Sequence, residues 1–163
     1  MKYIFVDLDN TLVAVEELYR SPPKNSKVIT LKTVYFAEKY FGRVRPEALK
    51  LLEGLRSIAP TYMLTAAAKD YARAWNKEFN LGFKEEDIYT REDTEGKDIS
   101  IGDKFPEKGD VYLIDDKDLP YFNTKIKVRF LENLGKLKIV IVPPFYGYKN
   151  QVLDVNNILS KIV

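Results

Sequence analysis

A strand-favouring run, Tyr3-Ile4-Phe5-Val6, delivers two carboxylates, Asp7 and Asp9, to a point where Asp9-Asn10 turns the chain. Acid is thus placed at a strand end. In a doubly wound sheet the carboxyl ends of the strands border the ligand crevice, so a chain that opens this way puts its first acids where such folds keep their chemistry.

The remainder alternates between strands and helices. Thr61-Tyr62-Met63-Leu64-Thr65 reads as a second strand ending on a hydroxyl. Ile88-Tyr89-Thr90 reads as a third, Asp110 to Ile114 as a fourth ending in Asp115-Asp116, and Leu137 to Val142 as a fifth. Between them, Pro46 opens a helix whose Leu49, Leu52, Leu55 and Ile58 recur at helical spacing. Ala66 to Phe79 forms a second, with Tyr71, Trp75 and Phe79 as a core stripe. Asn123 to Leu134 forms a third, with Ile126, Phe130, Leu131 and Leu134 inward, and Val152 to Ile162 a fourth. This order predicts an α/β fold: a three-layer, Rossmann-like, mostly parallel five-stranded sheet in a single domain spanning 1–163.

Within that domain, 13–44 has a different character. Val13 to Arg20 leads into an exposed loop around Pro22-Pro23, and Val28 to Leu31 is a strand. Ala37 to Val44 fits either its hairpin partner or a short helix closed by Gly42, and a small β-flap is the preferred reading. Arg91 to Asp98 and Phe105 to Asp110 read as polar loops, and Pro143 to Tyr148 as a stiff aromatic loop that forms either part of a rim or core packing.

Composition narrows the chemistry. The 163 residues include no histidine and no cysteine. Histidine general bases, histidine or thiolate zinc sites and cysteine nucleophiles are therefore all excluded. Catalysis and metal binding must rest mainly on carboxylates, with lysine or tyrosine as helpers. The net charge of +2 gives no clear nucleic-acid signal. No apolar run is long enough to span a membrane and no signal-like start is present, so a cytoplasmic location is expected. Abundant Lys and Glu without Cys is a thermophile-like bias.

If the sheet is parallel, Asp7, Thr65 and Asp115-Asp116 meet in one crevice. Phosphoryl transfer to a carboxylate needs a nucleophile, a proton carrier, a counter-charge and donors to the phosphoryl oxygens. Asp7 can attack, Asp9 can carry the proton, Thr65 can hydrogen-bond an oxygen, and Asp115 and Asp116 can add ligands for Mg2+. A lysine can neutralise the charge. An acidic pair alone closes turns in many proteins; two acidic strand ends with a Thr-terminated strand between them in sequence argue for a site.

Asp7-Leu8-Asp9-Asn10-Thr11-Leu12, followed in order by Arg45-Pro46-Glu47-Ala48-Leu49, Leu64-Thr65-Ala66-Ala67 with Tyr71-Ala72, Lys97-Asp98-Ile99-Ser100 and Leu113-Ile114-Asp115-Asp116, resembles the haloacid dehalogenase (HAD) superfamily of phosphatases. Within it the chain resembles the branch acting on the C-terminal domain of RNA polymerase II, the NLI-interacting-factor-like phosphatases. The resemblance implies Asp7 as nucleophile and metal ligand, and Asp9 as acid/base and ligand through its main-chain carbonyl. It implies phosphate binding by Thr65, Ala66 and Lys97, metal binding by Asp115 and Asp116, and Arg45 as a substrate-side cation. Lys104 competes with Lys97 for the active-site lysine. The aromatic substrate-binding insertion of the eukaryotic enzymes is not recognisable. The gaps between motifs leave no room for a large cap domain, so the site is expected to be open to a phosphate carried on a macromolecule. A small-molecule phosphatase and an inactive phosphate-binding module are the competing readings.

Overall fold

The computed structural model describes residues 1–17, 24–95, 98–147 and 152–163. Strand β1 (Lys2–Val6) is the middle member of a five-stranded parallel sheet. Its side chains alternate between two cores, Ile4 and Val6 on one face and Tyr3 and Phe5 on the other. Covered on both sides, the strand is apolar along its inner length.

The chain then leaves the sheet. Strands β2 (Val13–Glu17), β3 (Lys27–Lys32) and β4 (Ala37–Val44) form a separate antiparallel sheet in the order β2-β4-β3. Ala37 to Val44 is therefore strand, and the β-flap reading holds. The structure adds β2, which the sequence presents as the lead into a loop. Its pairing partner, from Val13 opposite Val44 to Glu17 opposite Tyr40, lies too far along the chain for local pattern to show.

Helix α1 (Ala48–Ile58) leads to β5 (Thr61–Leu64), and α2 (Lys69–Glu78) to β6 (Ile88–Tyr89) and the one-turn α3 (Arg91–Thr94). Then follow β7 (Gly109–Asp115), α4 (Phe122–Leu131), β8 (Gly135–Ile141) and α5 (Val155–Ser160). The sheet order is β6-β5-β1-β7-β8. Leu51, Leu52 and Leu55 of α1, Trp75 of α2 and Ile158 of α5 cover one face; Phe130 and Leu131 of α4, with Phe105, cover the other. These are the three layers expected.

Three local readings are corrected. The buried stripe of α1 is Ala48, Leu51, Leu52 and Leu55, rotated so that Leu49 is half exposed and Ile58 only partly buried. Arg91 to Thr94 is a helical turn, not loop, because Thr90 and Asp93 cap it reciprocally as a capping box. Phe105 is not in a solvated loop: its ring packs edge-on to Tyr3 at 5.2 Å and closes the second core. Phe145 is likewise core, its N–H donating to the Asn10 carbonyl at 2.7 Å. No described helix is long and apolar enough to cross a membrane.

Candidate active site

Val6 lies opposite Met63 of β5 on one side and Ile114 of β7 on the other. The next residues outward are Asp7 on the central strand, Leu64 and then Thr65 after β5, and Asp115 with Asp116 at the end of β7. Parallel register alone thus brings the expected groups together. They line a cleft of about 60 Å³ with Asp9, Asn10, Ala66, Lys117, Asn123, Thr124 and Lys127.

Asp7 is held from two directions. Lys127 donates to its Oδ1 at 2.7 Å and to Asp115 Oδ2 at 2.7 Å, and Thr11 donates to its Oδ2 at 3.0 Å. The Thr11 hydroxyl reaches Asp7 because the chain after β1 curls: Asn10 adopts a left-handed φ of 61°, and the N–H groups of Leu12 and Val13 both donate to the Leu8 carbonyl. Asparagine tolerates that φ better than most residues, which is why the turn falls where it does. On the β7 side, Asp115 Oδ1 accepts the Lys117 N–H at 3.0 Å. Thr65 is buried and its Oγ1 accepts from the Ala67 N–H at 3.1 Å, leaving the hydroxyl proton to point elsewhere.

Asp9 sits apart from this cluster. Tyr71 donates to its Oδ1 at 2.7 Å from the first turns of α2. Burial, reinforced by the Asp7 charge, pushes the Asp9 carboxyl up to about 6 despite that hydrogen bond. Burial and then the charges of Asp7 and Asp115 push Asp116 up to about 7, and burial with Asp7 raises Asp115 as well. Burial pulls the Lys127 ammonium down, but Asp7 and Asp115 outweigh it and hold the group more strongly protonated than a free lysine.

The charge count favours a cation. Asp7, Asp115 and Asp116 gather around the buried Lys127 ammonium, with Asp9 close by, and no other buried lysine lies there among the described residues. Oxygens of Asp7, Asp115 and Asp116 lie within 4.8 Å of one another. An all-oxygen carboxylate set suits a hard divalent ion such as Mg2+, and the residues present fit one.

Other sequence expectations are placed differently. Lys104 is remote from the cleft: it pairs with Asp87 at 2.8 Å, donates to the Glu86 carbonyl and lies over the Tyr62 and Tyr89 rings. Lys97 lies outside the described residues. Arg45 does not line the cleft; it is 1% exposed, donates to the Thr11 carbonyl at 3.2 Å and lies over Phe145. From there it braces the turn carrying Thr11.

Lys127, Thr11 and Tyr71 are the residues that sequence reading passed over as functional. Lys127 had a signal: it precedes Phe130 by three and Leu131 by four, on the buried face of α4, where a lysine needs a partner. It, and not Ile126, points inward.

The fold, with carboxylates gathered at the ends of β1 and β7, is that of the HAD-like class. The sequence matches the NLI interacting factor-like phosphatase family over residues 2–128, and the chain belongs to that family. Two of the solved structures that share the fold are of CTD phosphatases. That of Fcp1, an essential RNA polymerase II CTD phosphatase, aligns with a TM-score of 0.61 at 18% identity. That of the fission yeast RNA polymerase II CTD phosphatase Fcp1 bound to beryllium fluoride aligns at 0.57 and 14%. Each alignment covers 94% of this chain and 44% of the other, so the chain spans less than half the length of those it resembles. A search of curated proteins finds no significant match.

Proposed function

We propose that this phosphatase is a Mg2+-dependent phosphomonoesterase that works through an aspartyl phosphate on Asp7 and takes its phosphate from a macromolecule. The observation that carries the reading is the clamp on Asp7. A carboxylate at the end of the central strand is oriented by Lys127 and Thr11 at the mouth of a cleft too small for more than a phosphoryl group.

An Asp7 oxygen attacks phosphorus as the bond from phosphorus to the leaving oxygen breaks. Asp9, which burial keeps partly protonated near neutrality, gives its proton to that oxygen. In the second half Asp9 takes a proton from water, whose oxygen attacks phosphorus and releases phosphate, regenerating the Asp7 carboxylate. Thr65 donates to an equatorial oxygen, and Lys127 offsets negative charge on Asp7 and on the incoming phosphate. Asp7, Asp115 and Asp116 would hold Mg2+, with the Asp9 carbonyl; bound there, the ion would make approach of two anions tolerable.

The macromolecular substrate is supported by the openness of the site, since 13–44 contributes a three-stranded sheet and no cap domain among the described residues. It is also supported by the CTD phosphatase activity named for the two structural neighbours.

The test is hydrolysis of para-nitrophenyl phosphate with Mg2+. Chelation should abolish turnover, and Asp7→Asn should lower kcat by about 10³-fold or more. Turnover that survives Asp7→Asn overturns the reading.

A further inference from the structure

The reactive cleft, at about 60 Å³, accommodates little beyond the phosphoryl group, so whatever carries the phosphate must lie outside it. One larger groove adjoins it. A depression of about 550 Å³ between α3 and α4 shares Ala66 and Asn123 with the cleft, and its volume falls in the roughly 300–1,000 Å³ range of ligand sites. Its floor is Phe130, 4% exposed, and its wall is the half-buried Ile126 and the 75% exposed Phe122.

In the segment between β7 and α4, just before Phe122, Leu119 and Tyr121 are also 48% and 55% exposed. Large apolar side chains standing in water beside a reactive cleft mark a contact surface. The charges are selective too. Arg91 of the groove is engaged by Glu95 at 4.0 Å, whereas the exposed Arg129 has no ion-pair partner among the described residues. The groove therefore offers an apolar patch with an exposed arginine set within it, which complements an apolar residue beside an acidic one.

We propose that this groove holds the polypeptide next to the phosphorylated side chain, seating a bulky apolar residue against Phe122, Ile126 and Phe130 and an acidic residue beside Arg129. The inference rests on Asp7 being the phosphoryl acceptor and adds the substrate's sequence preference. A peptide is favoured because the groove adjoins the cleft through Ala66 and Asn123 and pairs an apolar patch with a cation, two chemistries that neighbouring side chains of one polypeptide present together.

The experiment compares kcat/KM for phosphoserine peptides, with Leu or Ala and Glu or Lys placed on each side of the phosphoserine, with that for para-nitrophenyl phosphate. The unmodified protein should prefer the Leu and Glu peptide by about tenfold over the Ala and the Lys peptides. Phe122→Ala should remove the Leu preference, and Arg129→Glu should reverse the order so that the Lys peptide overtakes. Both positions are exposed, so a folded variant is expected, and reversal is a gain that misfolding cannot produce.

Hydrolysis of para-nitrophenyl phosphate with indiscriminate peptide turnover overturns the groove while leaving the phosphatase mechanism standing. An unchanged preference in Arg129→Glu, or a nucleotide or sugar phosphate outrunning every peptide, also overturns it. No turnover of any phosphate ester overturns both.

Discussion

Lys127 is the residue whose position explains most about the site. It is joined to Asp7 across 120 residues of sequence and to Asp115 across 12, and its ammonium survives burial only because both carboxylates are present. Asp7, Asp9, Thr65, Asp115 and Asp116 were legible because strand ends can be read locally. The lysine was not, since its partners arrive from two strands that only the folded sheet brings beside α4, and a helical lysine taken alone reads as solvated. Tyr71 was half legible, as a member of an aromatic stripe whose hydroxyl reaches Asp9. That hydrogen bond stabilises the ionised form of Asp9. Tyr71→Phe should therefore raise the Asp9 pKa and move its inflection in the pH–rate profile to higher pH; a shift to lower pH would contradict this assignment.

Among elements, the flap is seated on α2 by close packing, with Tyr40 edge-on to Tyr71 at 5.3 Å. Gly42 of β4 lies against the Trp75 indole so closely that an added Cβ would stand 2.6 Å from the ring. Trp75 in turn stacks on Phe79 at 5.1 Å, which holds the indole in place against β4. Gly42→Ala should destabilise the protein by about 1–3 kcal/mol through overpacking. Because the chain has one tryptophan, its emission reports this contact directly and should shift in the variant. The strand character of 37–44 was ambiguous in sequence because its glycine answers to the tryptophan and not to local conformation. By contrast β1, β5 and β7 were readable as strands, since apolar runs ending in polar groups are their own punctuation.

Across the whole molecule, the alternation of strands and helices was enough to define the fold, whereas the charge balance of the site was not visible until the carboxylates of β1 and β7 met the Lys127 ammonium. Without metal, Asp9 and Asp116 are raised from 3.8 to about 6 and about 7. The folded state then binds more protons than the unfolded chain between about pH 4 and 7, so stability falls as pH rises through that window. Mg2+ would compete with the proton on Asp116. In chelator the Tm should be lower at pH 7.5 than at pH 5.5, and Mg2+ should raise it more at the higher pH; an equal increase at both would count against metal binding by these carboxylates.

The central claim is that phosphate passes through Asp7. Acid quenching during turnover of a 32P-labelled phosphate ester, followed by peptide mapping, tests it most directly. The account predicts hydroxylamine-labile label on the peptide containing Asp7, absent in Asp7→Asn. Label on another residue, or full turnover by the Asp7→Asn protein without label, would contradict it.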